Sequence, residues 1–275
     1  MHLVRRSPLT IVGIAIIMML LTIAIFAPYL APYPEDAAET VHHDRILLPP
    51  SEEHIFGTDD LGRDIFSRVL FGARISLLVG IIVIVVSTGI GIPLGAVAGL
   101  VKGKFDDFIM RTTDIFMAFP PFVLAMVVTA ALGPSITNAM IAIAVTWWPW
   151  YTRLVRAQTL SIREQPYIEA CMAMGLPRAR LILRHILPNC LGPVFVQATL
   201  DLGYTILTAA ALSFLGLGAR VPTPEWGLMI SLGRKYLPDW WWYATFPGLA
   251  IMTTVLGFNL LGDGLRDILD PRIRR

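Results

Sequence analysis

Charge is what this chain has least of. Of its 275 residues, 15% are Asp, Glu, Lys or Arg, against roughly 25% in an ordinary soluble domain. With 55% hydrophobic residues, that scarcity excludes a chain bathed in water on all sides. The formal net charge of +2 is too small for a nucleic-acid binder, which works by neutralising phosphates. Cysteine is nearly absent: Cys171 and Cys190 are the only two, and their spacing matches no metal motif. No His-Glu-x-x-His and no Gly-x-x-x-x-Gly-Lys-Ser/Thr occurs. The first lack argues against a zinc-dependent intramembrane enzyme, the second against a P-loop ATPase within this chain. The five histidines are scattered, and the adjacent His42 and His43 have no cysteine beside them and match no metal motif. No catalytic, cofactor-binding or metal-ligating residue is expected. No internal repeat, low-complexity tract or soluble domain is evident.

What the chain has instead is apolar runs long enough for lipid. Crossing a hydrocarbon layer of ~30 Å takes about 20 helical residues. Six runs qualify, at about 9–27, 76–101, 113–133, 138–157, 194–216 and 246–264. The sequence therefore predicts an all-α membrane protein with six transmembrane helices. The first run follows Arg5 and Arg6 but is longer than a signal-peptide core, and Pro28 and Pro32 crowd any cleavage site, so it is read as a retained helix. Six crossings put both termini on one side. Lys and Arg gather in that set of flanks, from Arg5 and Arg6 through Lys102, Arg153 and Arg184 to Arg275, leaving seven of the 22 on the other. Positive flanks face the cytoplasm, so both termini are expected there. Both cysteines then fall in a reducing compartment, where a structural disulfide is not expected.

Between the first two runs, Pro28, Pro32 and Pro34 are expected to stop the first helix. After the turn-rich run 57–64, Ile65, Phe66, Val69 and Leu70 suit either a short helix on the membrane surface or a plain amphipathic connector. Before the last run, Trp240, Trp241, Trp242 and Tyr243 are expected at the headgroup layer. Gly91, Gly95 and Gly99 recur every four residues, which cuts a groove along one helix face where a partner backbone can approach.

The inside connector at about 158–190 is longer than a pore needs. Pro166 suits a first helical turn and Tyr167 to Met174 continue it. Gly175 fits the left-handed position that ends a helix. Pro177 then starts a second piece through Arg178, Arg180 and Arg184, which Pro188 is expected to stop. Two short helices meeting at a glycine form a knob that a soluble partner could grip.

Glu169-Ala170-Cys171, then Gly175, then Leu187-Pro188 resembles the EAA loop of ABC importer permeases. Cys171 stands where the general pattern has Ala, and His185 where it has Ile. The second departure is similar to the peptide and nickel branch. Residues 56–68, Ser213 to Gly218, Pro224-Glu225-Trp226-Gly227, and Asn259 to Asp263 through Leu269-Asp270-Pro271 resemble further blocks of that branch. The resemblance covers nearly the whole chain and implies a type I ABC importer permease fold. Residues 1–75 would form an N-terminal helix and extracytoplasmic segment, and 76–275 a permease core. It implies no catalysis in this chain, with ATP and magnesium held by two cytoplasmic ATPase subunits. A second permease subunit, an extracytoplasmic binding protein and the bilayer of a bacterial inner membrane complete the setting. Tyr167, Glu169, Ala170, Cys171, Gly175, Arg178, Arg180, Leu187 and Pro188 would form the ATPase-coupling loop, with Glu169 paired to Arg178, to Arg180 or to the ATPase. The implied cargo is short peptides; a nickel chelate or a glutathione-like solute stays open.

A secondary transporter or channel is the competing class, and it would place ionisable groups inside its spans. The first four runs have almost none. Asp201, in the fifth, fits a pore-lining role or a structural pairing with a loop arginine equally well, and Asp263 lies near the end of the sixth.

Overall fold

In lipid a backbone must pair its own N–H and C=O groups, so an apolar run becomes a helix. The computed structural model describes residues 8–269 and gives ten α-helices among them. They are α1 (Pro8–Leu30), α2 (Ile65–Val101), α3 (Lys104–Met117), α4 (Pro121–Leu132) and α5 (Ile136–Arg163). Then follow α6 (Pro166–Ala173), α7 (Arg178–Leu181), α8 (Leu187–Phe214), α9 (Trp226–Gly233) and α10 (Trp242–Leu269). Four helical stretches are long and apolar enough to cross a membrane: α1, α2, Arg178–Phe214 and α10. A fifth arises if α3 and α4, bent by 85° at a short break, are taken together. At 28 residues, α5 is roughly 42 Å long at 1.5 Å per residue, although its sequence is more polar.

Several sequence expectations need correction. Ile65, Val69 and Leu70 form no separate surface helix. They are the buried first turns of α2, which runs unbroken for 37 residues, because Asp64 caps it by accepting from the Ser67 amide at 2.7 Å and no breaker follows until Pro93. Pro28 does not stop α1, which continues to Leu30. The run 113–133 is not one helix: Pro120 and Pro121 interrupt it, and α4 spans only 12 residues. Nor does Pro188 end a helix. Residues 182–186 adopt a π turn, closed by the Leu187 amide on the Ile182 carbonyl, and α8 follows directly. The wider turn makes room for a ring that would otherwise clash with the carbonyl four residues back. Of the four aromatic residues expected at the headgroups, Trp242 and Tyr243 are buried within the protein and Trp241 is exposed. Arg5, Arg6, Arg272, Arg274, Arg275 and the Asp270-Pro271 pair lie outside the described residues.

Glycine register gives the helix directions. Cβ atoms on Gly91, Gly95 and Gly99 would meet Tyr151 Cβ at 2.5 Å, Thr152 O at 2.5 Å and Thr159 Cβ at 2.7 Å. Residue numbers rise together, so α2 and α5 run parallel, and α3 with α4 must carry the chain back between them. Gly13 faces Leu260 while Gly264 faces Thr10, so α1 and α10 run antiparallel. Gly262 faces Leu200 and Gly203 faces Phe258 and Val255, so α8 and α10 are antiparallel too. The start of α1, the end of α10 and the connector 164–186 consequently share one end of the bundle.

That α2–α5 contact leaves no room for a side chain. Gly95→Leu would push its Cβ into the α5 backbone, an overpacking of roughly 1–3 kcal/mol or more. We expect the yield of assembled complex from membranes to fall about fivefold or more, measured by size exclusion. Gly89, with nothing within 4 Å, is the control: Gly89→Leu should assemble normally, and equal yields from both variants would refute the packing account.

Candidate functional site

Three polar constructions stand out, one at each end of the bundle and one between. The first is the knob. Pro166 sits in the first turn of α6 and Met174 closes it. Gly175 follows at φ +76°, its amide on the Met172 carbonyl at 3.0 Å and the Leu176 amide on the Cys171 carbonyl at 3.1 Å. This paired closure needs a left-handed residue, which glycine supplies without a Cβ clash. Ile168, Leu181 and Ile186 are buried in the main apolar core and anchor the knob. Cys171 is half-buried against the same core, and Leu187 joins it at the start of α8. Glu169, Ala170, Gly175, Arg178, Arg180 and Pro188 are exposed. Around them, Tyr167, Met174 and Leu183 expose apolar surface as well. Among the described residues Glu169 makes no ion pair, so the expected bridge to Arg178 or Arg180 does not form. Cys171 and Cys190 are both unbridged.

The second construction is a cavity of about 790 Å³ between α5, α8, α10 and the α3–α4 bend. Asp201 lines it from the middle of α8. Tyr151 donates its hydroxyl to Asp201 Oδ2 at 2.7 Å, and Gln197 Nε2 donates to Oδ1 at 2.9 Å. Trp147, Trp150 and Tyr204 supply the walls, with the Trp147 and Tyr204 rings 5.1 Å apart. Asp201 thus faces a cavity and pairs with no loop arginine. Arginines serve α3 instead: Arg153 pairs with Asp114, and Arg156 grips Asp106 through two bonds of 2.6 and 2.7 Å.

The third is a buried ionic clasp at the end opposite the knob. Asp59 receives Arg63 Nε at 2.7 Å, with Arg68 Nε 3.6 Å away. Arg68 also donates to the carbonyls of Asp36 at 2.8 Å and Pro222 at 3.1 Å, tying α2 to two separate loops. His54 meets Asp64 at 2.9 Å and His42 meets Asp36 at 2.9 Å, so both histidines serve the clasp. Among the described residues no group of His, Cys, Asp or Glu is arranged to hold a metal ion. Close by, Trp226 donates to the Val69 carbonyl at 3.0 Å. Glu225 caps α9 through the amides of Gly227 and Leu228. Burial pushes the Glu225 carboxyl above its ordinary pKa, while those amides pull it back.

The sequence reading missed the clasp as an ionic unit, and of the cavity it offered Asp201 alone, as a pore-lining or structural residue. The cavity had a periodic signal: Gln197, Asp201 and Tyr204 repeat at i, i+4 and i+7, as Trp147, Trp150, Tyr151 and Leu154 do at matching intervals.

A multi-pass helical membrane protein with an aromatic-walled cavity holding an acidic group, and an exposed knob, is a transport subunit in class. Residues 91–275 match the family described as binding-protein-dependent transport system inner membrane component, and residues 3–50 match the N-terminal TM domain of oligopeptide transport permease C. The chain belongs to this family of inner-membrane ABC importer permeases. It is 49% identical over 270 residues to the dipeptide transport system permease protein DppC of Alkalihalophilus pseudofirmus, covering 98% of this chain and 88% of that one. The di/tripeptide transport system permease protein DppC of Pseudomonas aeruginosa is 44% identical over 268 residues, with 95% and 88% covered. The glutathione transport system permease protein GsiD of Escherichia coli O157:H7 is 46% identical over 270 residues, with 98% and 88% covered.

Asp59→Ala would leave Arg63 and Arg68, both about 1% exposed, without their carboxylate. Stranding buried charge costs about 3–5 kcal/mol. We expect a clear fall in the thermal midpoint of the detergent-solubilised protein. Asp44→Ala, which removes an exposed pair with Arg45, should shift it little, since such pairs contribute about 0–1 kcal/mol. Equal midpoints for the two variants would refute the clasp's stabilising role.

Proposed function

We propose that this chain forms half of the translocation path of an ATP-driven importer of short peptides. A second, related permease would supply the other half. Two cytoplasmic ATPase subunits would bind ATP and magnesium, and an extracytoplasmic binding protein would deliver the cargo. The observation that carries this reading is a cavity and an exposed knob joined by one helical stretch, Arg178–Phe214. Relatives named for dipeptide and di/tripeptide transport favour peptide cargo; the relative named for glutathione transport keeps a glutathione-like solute as the second reading, and a nickel chelate is the third.

In this reading the chain crosses the bilayer six times, with α3–α4 as the third crossing and α5 as the fourth. Both termini are cytoplasmic, because the basic flanks gather at the end shared by the start of α1, the end of α10 and the connector at 158–190. Residues 1–75 are the N-terminal helix and extracytoplasmic segment, and 76–275 the permease core. The clasp is then extracytoplasmic and the knob cytoplasmic. Tyr167, Glu169, Ala170, Gly175, Arg178, Arg180 and the exposed Pro188 form the docking surface, while Cys171 and Leu187 join it to the core. Glu169 meets a basic residue of the ATPase. Closure of the ATPases on ATP shifts the bundle between outward-open and inward-open states, a two-state equilibrium biased from outside the chain.

Topology is checked by thiol labelling in intact cells. Cys171 should stay unlabelled by an impermeant reagent until the membrane is opened; labelling from outside would reverse the orientation. Coupling is checked with Glu169→Ala and Gly175→Val. A Cβ at the left-handed Gly175 costs about 1–2 kcal/mol and re-aims the knob. Both variants should reach the membrane at wild-type level, lose dipeptide uptake and retain less ATPase on purification. Normal uptake in both would sink the coupling role of 167–187. Uptake driven by a proton gradient in the absence of ATP would favour a secondary transporter instead.

A further inference from the structure

The cavity holds two charged side chains, and they differ in one respect. Arg153 is neutralised by Asp114. Asp201 is held by neutral donors, Tyr151 and Gln197 with Trp147 beside them, and no basic side chain among the described residues pairs with it. Those donors fix the carboxylate's orientation without cancelling its charge. A carboxylate has room for about four hydrogen bonds, so acceptor capacity remains on the cavity side. The walls next to it are aromatic: Tyr204 and Trp150 are about half exposed, and Trp147 lies tilted against Tyr204. An unpaired carboxylate beside electron-rich ring faces is an environment for a compact organic cation.

We infer that this cavity recognises the ammonium group of the passing solute, with Asp201 as counter-ion and Trp147, Trp150 and Tyr204 as the walls that replace its water. On the reading of the chain as a peptide permease, the group is the peptide's free amino terminus. Asp201 is then a specificity-determining residue of the membrane subunit, acting after the binding protein has released its cargo. The aromatic walls tolerate varied side chains, so the site discriminates on the terminus and leaves residue identity unread.

The test uses the complete complex, with both permeases, the ATPases and the binding protein, reconstituted in vesicles. Alanyl-alanine and N-acetyl-alanyl-alanine are each presented at concentrations that saturate the binding protein, and ATP-dependent uptake is compared as a ratio. Wild type should favour the free amine by about tenfold or more, the scale of one desolvated cation contact. Asp201→Asn should bring the ratio within about threefold of unity, and Asp201→Glu should keep it near wild type. Asp201→Ser is the neutral variant if Asp201→Asn does not assemble. An unchanged ratio in the neutral variant would overturn the proposal. A fall in both peptides together, with the ratio kept, would overturn it too, because Asp201 would then act only by holding Tyr151 and Gln197. A wild type that imports neither peptide would refute the peptide reading itself, a result distinct from either.

Discussion

The architecture depends on how closely two helices can approach. Where α2 passes α5, Gly91, Gly95 and Gly99 leave the α5 backbone in direct contact with the α2 backbone. Lipid provides no hydrophobic force to hold helices together, so dispersion over a close-fitting face has to do so. That contact makes two parallel helices act as one unit. It fixes where Tyr151 stands, since its stem packs on Gly91 of α2 while its hydroxyl reaches Asp201 on α8, and Trp147 lies one turn before it. The cavity's position is therefore set by glycines that do not line it.

Polar chemistry is distributed in keeping with that rigid centre. At one end Asp59, Arg63, Asp64 and Arg68 are buried, Asp59 pairs with Arg63, and Arg68 ties this segment to the carbonyls of Asp36 and Pro222. At the other end Glu169, Arg178 and Arg180 are exposed and unengaged with one another. The first arrangement locks loops against the bundle, the second leaves charge available to a partner. Charge is sparse along this chain because the lipid-facing helix surfaces exclude it, and what there is collects at the two ends and on the cavity wall.

The helices were legible in the sequence because apolar length is a bulk property that survives uncertainty about any one residue. Gly175 was legible because few residues tolerate its backbone region. Helix continuity was harder to read, because proline can end a helix, kink it or sit in a wide turn, and the choice depends on surrounding packing. Pro188 reads as a stop in isolation, yet the π turn at 182–186 absorbs it. The reverse happened at Pro120 and Pro121, where an apolar run that looked continuous is broken by 85°. Asp201 could be found in the sequence, but its neighbours could not, since Tyr151 lies 50 residues away. The Asp59 clasp was hidden for the same reason: its partners Pro222 and Asp36 are set by the return of distant loops.

The helical stretch from Arg178 to Phe214 has a mechanical meaning. No loop separates the knob from Asp201, so little slack can dissipate a push applied at the knob. About 20 residues at 1.5 Å each put roughly 30 Å between Leu181 and Asp201. With a lever of that length, a tilt of some ten degrees about the knob sweeps the carboxylate sideways by roughly 5 Å. The compliant elements along the way are the π turn and Pro193 within α8, which removes one helical hydrogen bond. A small rotation at the knob end of this stretch would therefore move Asp201 and Tyr204 together against Trp147 and Trp150 on α5.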